Sequence, residues 1–129
     1  MIRSNSLRRS ALGVTSAVFA AIALRAMLAP ADMAAELGLQ LRGPNGYSEI
    51  YAVYLGVWLA TAALGVVAMG RVEDALWGDM LAVFVLAQPL ARLLAAAQWG
   101  WPQGMLFVML FVEAIGGVAL LLVRPRATS

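Results

Sequence analysis

Arg92 and Glu113 each stand inside an apolar run long enough to cross a bilayer, where an isolated charge is expensive. An arginine at mid-membrane costs ~2.5–3.5 kcal/mol on insertion scales, so each group is expected to meet an opposite charge rather than lipid. A carboxylate so placed has two uses: it can fix helix register through an ion pair, or it can exchange a proton inside an apolar pocket. Glu113 is therefore the candidate acid–base residue, with Arg92 adjusting its acidity and Tyr54 or Gln88 orienting a ligand. Arg25 and Glu49 complete a candidate cluster of four charges. The simplest pairing joins Arg92 to Glu113 and Arg25 to Glu49, and the crossed pairing stays open.

Little other chemistry is on offer. The chain has no cysteine and no histidine, which removes disulfides, thiolate metal sites, the commonest metal ligand and the usual general base at neutral pH. No metal site and no cofactor is expected. Nine arginines, no lysine and seven carboxylates leave a net charge of +2, too small and too dispersed for a nucleic-acid surface.

The elements that must position these groups follow from composition. Of 129 residues, 63% are hydrophobic and 12% are charged, more apolar surface than a soluble domain of this size can bury. Four stretches reach the ~20 residues that a membrane helix needs, over 10–28, 50–69, 75–97 and 105–123. Arg8-Arg9 precedes the first, Ser48-Glu49 reads as a cap and first-turn acid for the second, and Gly70 as its stop. Glu73 and Asp74 suit the positive end of the third. Gly100-Trp101-Pro102 turns into the fourth, and Arg124-Pro125-Arg126 closes it. Short connections predict an all-α, antiparallel four-helix bundle in one domain, with residues 30–39 forming a short amphipathic helix at the interface.

Arg3, Arg8, Arg9, Arg71, Arg124 and Arg126 gather on one side, against Arg42 on the other and Arg25 just inside it. The positive-inside rule then puts both termini in the cytoplasm, in the inner membrane, with Tyr47, Tyr51, Trp99 and Trp101 at the outer interface. The first span reads as a retained anchor, since Leu7 and Ala11 depart from a twin-arginine signal. A rise of ~1.5 Å per residue puts Arg25 ~5 Å deep, Arg92 ~8 Å and Glu113 ~12 Å, with Glu49 near the surface. Helical phase groups Glu49 with Val53, Gly56, Ala60 and Ala63, a small-residue stripe expected to face inward. Gln88 falls one turn from Arg92, and Pro89 is expected to bend the helix there.

Pro30 with Leu37-Gly38, the run Glu49-Ile50-Tyr51-Ala52-Val53-Tyr54-Leu55-Gly56, then Arg92, Gly100-Trp101-Pro102 and Glu113 carry a resemblance. In order and spacing they resemble the bacterial four-span family catalogued as domain of unknown function 4345, with looser similarity to DoxX-like membrane proteins. Tyr51 stands where that family often has an arginine, and Leu55 where it has a glycine. The resemblance implies a compact four-helix membrane fold and no established activity. The scarcity of chemical groups favours a non-enzymatic accessory or scaffold subunit, with the bilayer and a larger membrane complex or a second copy as partners. The runner-up is binding or acid–base conversion of an isoprenoid, quinone or sterol-like molecule at Arg92 and Glu113. A small proton-coupled exporter ranks third.

Overall fold

Ser4 opens the first helix by accepting, on Oγ, a hydrogen bond from the Leu7 backbone N–H at 3.2 Å, which satisfies a donor that every helix start leaves orphaned. The computed structural model describes residues 4–125, and from that cap α1 runs Asn5–Leu28. Four helices follow it: α2 Pro30–Glu36, α3 Gly43–Gly70, α4 Ala75–Trp99 and α5 Met105–Leu122. Among the described residues every regular element is helical, and α1, α3, α4 and α5 are each long and apolar enough to cross a membrane. This is the expected all-α four-helix bundle.

The four long helices close a ring in which α1 lies along α3, α3 along α4, α4 along α5, and α5 back against α1. At its centre Leu12, Phe19, Trp58, Leu81, Val85 and Leu120 form one buried cluster with alanines from α1, α3 and α4. Gly65 allows the tightest approach, because a Cβ there would overlap Ser16 Oγ of α1 and lie 3.3 Å from Leu81 of α4.

Several boundaries differ from the sequence expectation. Helix α1 begins at Asn5, so Arg8 and Arg9 lie inside its first turns rather than before it. Helix α3 begins at Gly43 with Pro44 in its first turn, which places Ser48 and Glu49 inside the helix and not at its cap. Its next seven residues, Tyr51–Val57, are wound as a π-helix. The wider turn rotates the N-terminal part of α3 relative to the rest, so Ile50 and the face of Trp58, Thr61, Ala62, Gly65 and Ala68 are all buried.

Helix α2 closes one end of the bundle. Pro30 suits the first turn because its missing N–H has no helical partner there. Met33, Ala34 and Leu37 then pack on Ala26 and Ile50 in a second, smaller cluster. The helix stops at Glu36, short of the expected 39, as Gly38 enters the left-handed region at φ 71°, and Leu39 is exposed rather than part of the apolar face.

Candidate functional site

Arg92 reaches Glu113 from α4 to α5 with both arms of its fork: Nε donates to Oε2 at 3.1 Å and Nη2 to Oε1 at 3.2 Å. The side chains are 19% and 6% exposed, so the pair is largely withdrawn from its surroundings. Two parallel charge-assisted bonds fix both groups, and the planar guanidinium matches the carboxylate edge to edge. One turn along α5, Gly117 lets Leu86 of α4 come so close that a Cβ would overlap it, which brings the helices near enough for the fork to span them. Tyr54 lies within electrostatic reach of both charges, and its ring lies tilted at 57° against Trp58 at 4.9 Å, which meets Phe19 edge-on at 5.4 Å. Pro89, buried inside α4, has no N–H for the Val85 carbonyl one turn back, so the helix has a gap in its ladder beside the pair.

Glu113 also forms part of the wall of a cleft. Val14, Thr15, Val18 and Ile22 of α1 face Met109, Val112 and Gly116 of α5 across it, and Phe19, Trp58 and Val85 make its floor. The cleft offers a free volume of about 110 Å³. It opens between α1 and α5, where Val14, Val18 and Val112 are exposed on the outer surface of the bundle. In a membrane that surface meets acyl chains, so the mouth faces hydrocarbon sideways. Apart from the carboxylate, the only polar side-chain groups along it among the described residues are the Thr15 hydroxyl and the Trp58 indole N–H.

Arg25 and Glu49 are placed elsewhere. Arg25 forms its ion pair with Glu36 on α2, not with Glu49, and both partners are about half exposed, at 47% and 48%. Glu49 is exposed and makes no ion pair among the described residues. Gly56, Ala60 and Ala63 face outward as well, although uninterrupted α-helical phase puts them inward. The π segment supplies the physical reason, since it changes the phase between Glu49 and the buried face of α3. Of the four charges, only Arg92 and Glu113 pair with each other; Arg25 pairs with a fifth group, Glu36, and Glu49 stands alone among the described residues, so they do not form one cluster. Gln88 is half-buried and makes no hydrogen bond to the pair.

A buried charge that the sequence reading treats as a flank sits at the opposite end. Arg8 is 2% exposed, and its fork donates to three backbone carbonyls: Val123 at 3.5 Å, Asp74 at 3.3 Å and Ala75 at 3.4 Å. Gly78 makes room for it, since a Cβ would overlap Nη2. Asp79, Asp74 and Arg124 are the charges that act on it, and Arg124 itself pairs with Asp79 at 2.7 Å. Arg8 thus ties α1 to the α3–α4 turn and to the end of α5. The signal was present in the spacing, because Arg8 heads the stripe Leu12, Ser16, Phe19, Ala23 and Ala26 that α1 buries. Arg3 and Arg126, counted on the same side in the sequence, lie outside the described residues.

Residues 7–124 match the family described as Domain of unknown function (DUF4345). The chain belongs to that family. The match runs from the first turns of α1 to beyond α5, so the Arg92–Glu113 pair, the cleft and the Arg8 tie all lie within the DUF4345 region. No curated protein and no solved structure matches the chain.

Proposed function

We propose that this DUF4345 member binds a lipophilic molecule in the cleft between α1 and α5, with a hydrogen-bond donor on that molecule meeting the Glu113 carboxylate. One observation carries the reading: a carboxylate that is 6% exposed, with both oxygens held by Arg92, forms part of the wall of an apolar cleft open to the side. A ligand site of this kind combines a mostly apolar lining with a few fixed polar groups that set orientation. Each carboxylate oxygen that accepts one bond from Arg92 keeps further lone-pair capacity for a donor such as a hydroxyl. The same bidentate hold argues against proton exchange, since a carboxylate tied to a guanidinium is a poor acid–base group and a poor proton carrier. Binding is therefore the reading, ahead of conversion or export.

The proposal places the protein in the cytoplasmic membrane, with both termini on the cytoplasmic side. Arg9, Arg71 and Arg124, exposed at the end opposite α2, and Arg8 beside them support that orientation.

Extraction of the full chain from its membrane into polymer-bounded lipid discs, followed by mass spectrometry of the organic extract, tests the binding. The wild-type protein is expected to carry one lipophilic species enriched over bulk lipid, and Val18→Trp, which fills the cleft mouth, is expected to lose it. An identical extract from both proteins overturns the proposal.

A second reading draws on α3, where Gly56, Ala60 and Ala63 form a small-residue stripe on the outer surface. Such stripes let another membrane helix approach closely, which suits an accessory subunit docking on a larger complex or on a copy of itself. Native mass spectrometry after gentle detergent extraction tests it, with Ala60→Leu expected to dissociate any assembly. A monomer in both cases removes this reading.

A further inference from the structure

The cleft beside Glu113 does not end at Ile22 and Met109. Those two residues also line a second groove, bounded by Arg25, Met33, Glu36, Leu37 and Met105, beneath α2. The two hollows share that wall and form one trough along the seam of α1 and α5. From Val14 to Arg25 the trough spans about eleven residues of α1, roughly 16 Å at ~1.5 Å per residue.

Its charged groups stand about 7 Å apart in depth, with Arg25 at ~5 Å and Glu113 at ~12 Å by helical rise. Arg25 and Glu36 flank the α2 end, while Glu113, held by Arg92, stands on the other side of Ile22 and Met109. Between them the lining is valine, isoleucine, phenylalanine and methionine. Met33, Met105 and Met109 border the junction, and unbranched thioether chains adapt to a flexible occupant at low cost.

We infer that the ligand is a single-chain carboxylate amphiphile with a hydroxyl part-way along its chain. This deepens the binding reading above and rests on it. The carboxylate head binds Arg25 at the interface, the chain passes Ile22 and Met109, and the hydroxyl donates to Glu113.

Charge decides the head. Among the described residues Arg25 is the only cation lining the trough at the α2 end, and its present partner is a carboxylate on α2. An ion pair in which both partners are about half exposed is worth little, so a competing carboxylate exchanges with Glu36 without a large penalty. Charge and hydrogen bonding decide the second group as well. Glu113 repels a second carboxylate and accepts from a hydroxyl, so the acid end is read at Arg25 and the alcohol group at Glu113.

The test uses the full chain in phosphatidylcholine discs with three photoactivatable probes: palmitic acid, 7-hydroxypalmitic acid and palmityl alcohol. Cross-link sites are mapped by peptide mass spectrometry and affinities are obtained by competition. The hydroxy acid is expected to label both Met105 and Val112 and to bind about tenfold tighter than palmitic acid, the worth of one hydrogen bond to a charged group. Arg25→Gln is expected to abolish the preference for acids over the alcohol. Glu36→Gln is expected to raise acid affinity, a gain that misfolding cannot produce.

If all three probes label Val112 equally and neither variant changes their order, the inference fails while the binding proposal stands. If no probe labels Val112 or Met105, both fail.

Discussion

Removing Arg92 while leaving Glu113 in place isolates what the intramembrane pair contributes. In Arg92→Met the carboxylate, 6% exposed, loses both of its donors, from Nε at 3.1 Å and Nη2 at 3.2 Å. Breaking one side of a buried pair costs about 3–5 kcal/mol, because the surviving charge is left without compensation. Arg92 is itself 19% exposed, so some screening reaches the pair and the lower end of that range applies, about 3 kcal/mol. This corresponds to more than a hundredfold fall in the ratio of folded to unfolded protein. The informative comparison is Arg92→Met with Glu113→Leu, which removes both charges and keeps apolar bulk. The double variant is expected to recover most of the loss, since well-packed apolar replacements of buried pairs are often neutral or stabilising. Reversible unfolding in mixed micelles, followed by far-ultraviolet circular dichroism, measures all three variants. A single variant within about 0.5 kcal/mol of wild type refutes the claim that the pair is energetically buried. A double variant as unstable as the single one shows that shape, not uncompensated charge, sets the cost.

Gly65→Ala forces a Cβ onto Ser16 Oγ where α1, α3 and α4 meet, and a loss of about 1–3 kcal/mol in the same unfolding assay is expected, partly restored by Ser16→Gly. Arg25→Ala is expected to cost less than about 1 kcal/mol, because both members of its pair are half in solvent. A larger loss contradicts the exposed placement. Arg8→Lys keeps the charge but has no fork to reach the Val123, Asp74 and Ala75 carbonyls together. It is expected to destabilise the bundle by about 1–3 kcal/mol and to speed amide exchange in the first turns of α1.

The residues differ in how much they announced in advance. Arg92 and Glu113 were legible because lipid leaves a charge few alternatives, and because depth on two adjacent helices can be counted by rise per residue. Arg25 and Glu49 were not, because near the interface a charge is free to choose among partners and water. The short helix α2 brings Glu36 within reach of Arg25, and distances along a loop do not predict that. Phase failed on α3 for a different reason. A π segment over Tyr51–Val57 carries no composition signal, yet it moves Gly56, Ala60 and Ala63 to the outer surface. Arg8 had the right spacing for burial, but its acceptors are backbone carbonyls, which no side-chain pattern reveals.

Composition and the length of four apolar runs determined by themselves that this chain makes four membrane-competent helices, since backbone polar groups in hydrocarbon must be satisfied within a helix. They also determined that Arg92 and Glu113 need partners. Only the tertiary structure decided that the two face each other with both arms of the fork, that Arg25 turns to Glu36, and that α1 and α5 stand apart enough to leave a cleft at the carboxylate. Pairing and cavities depend on how helix faces are rotated and how closely they pack. Residues far apart in sequence set both: Gly65, Gly78, Gly117 and the π turn among them.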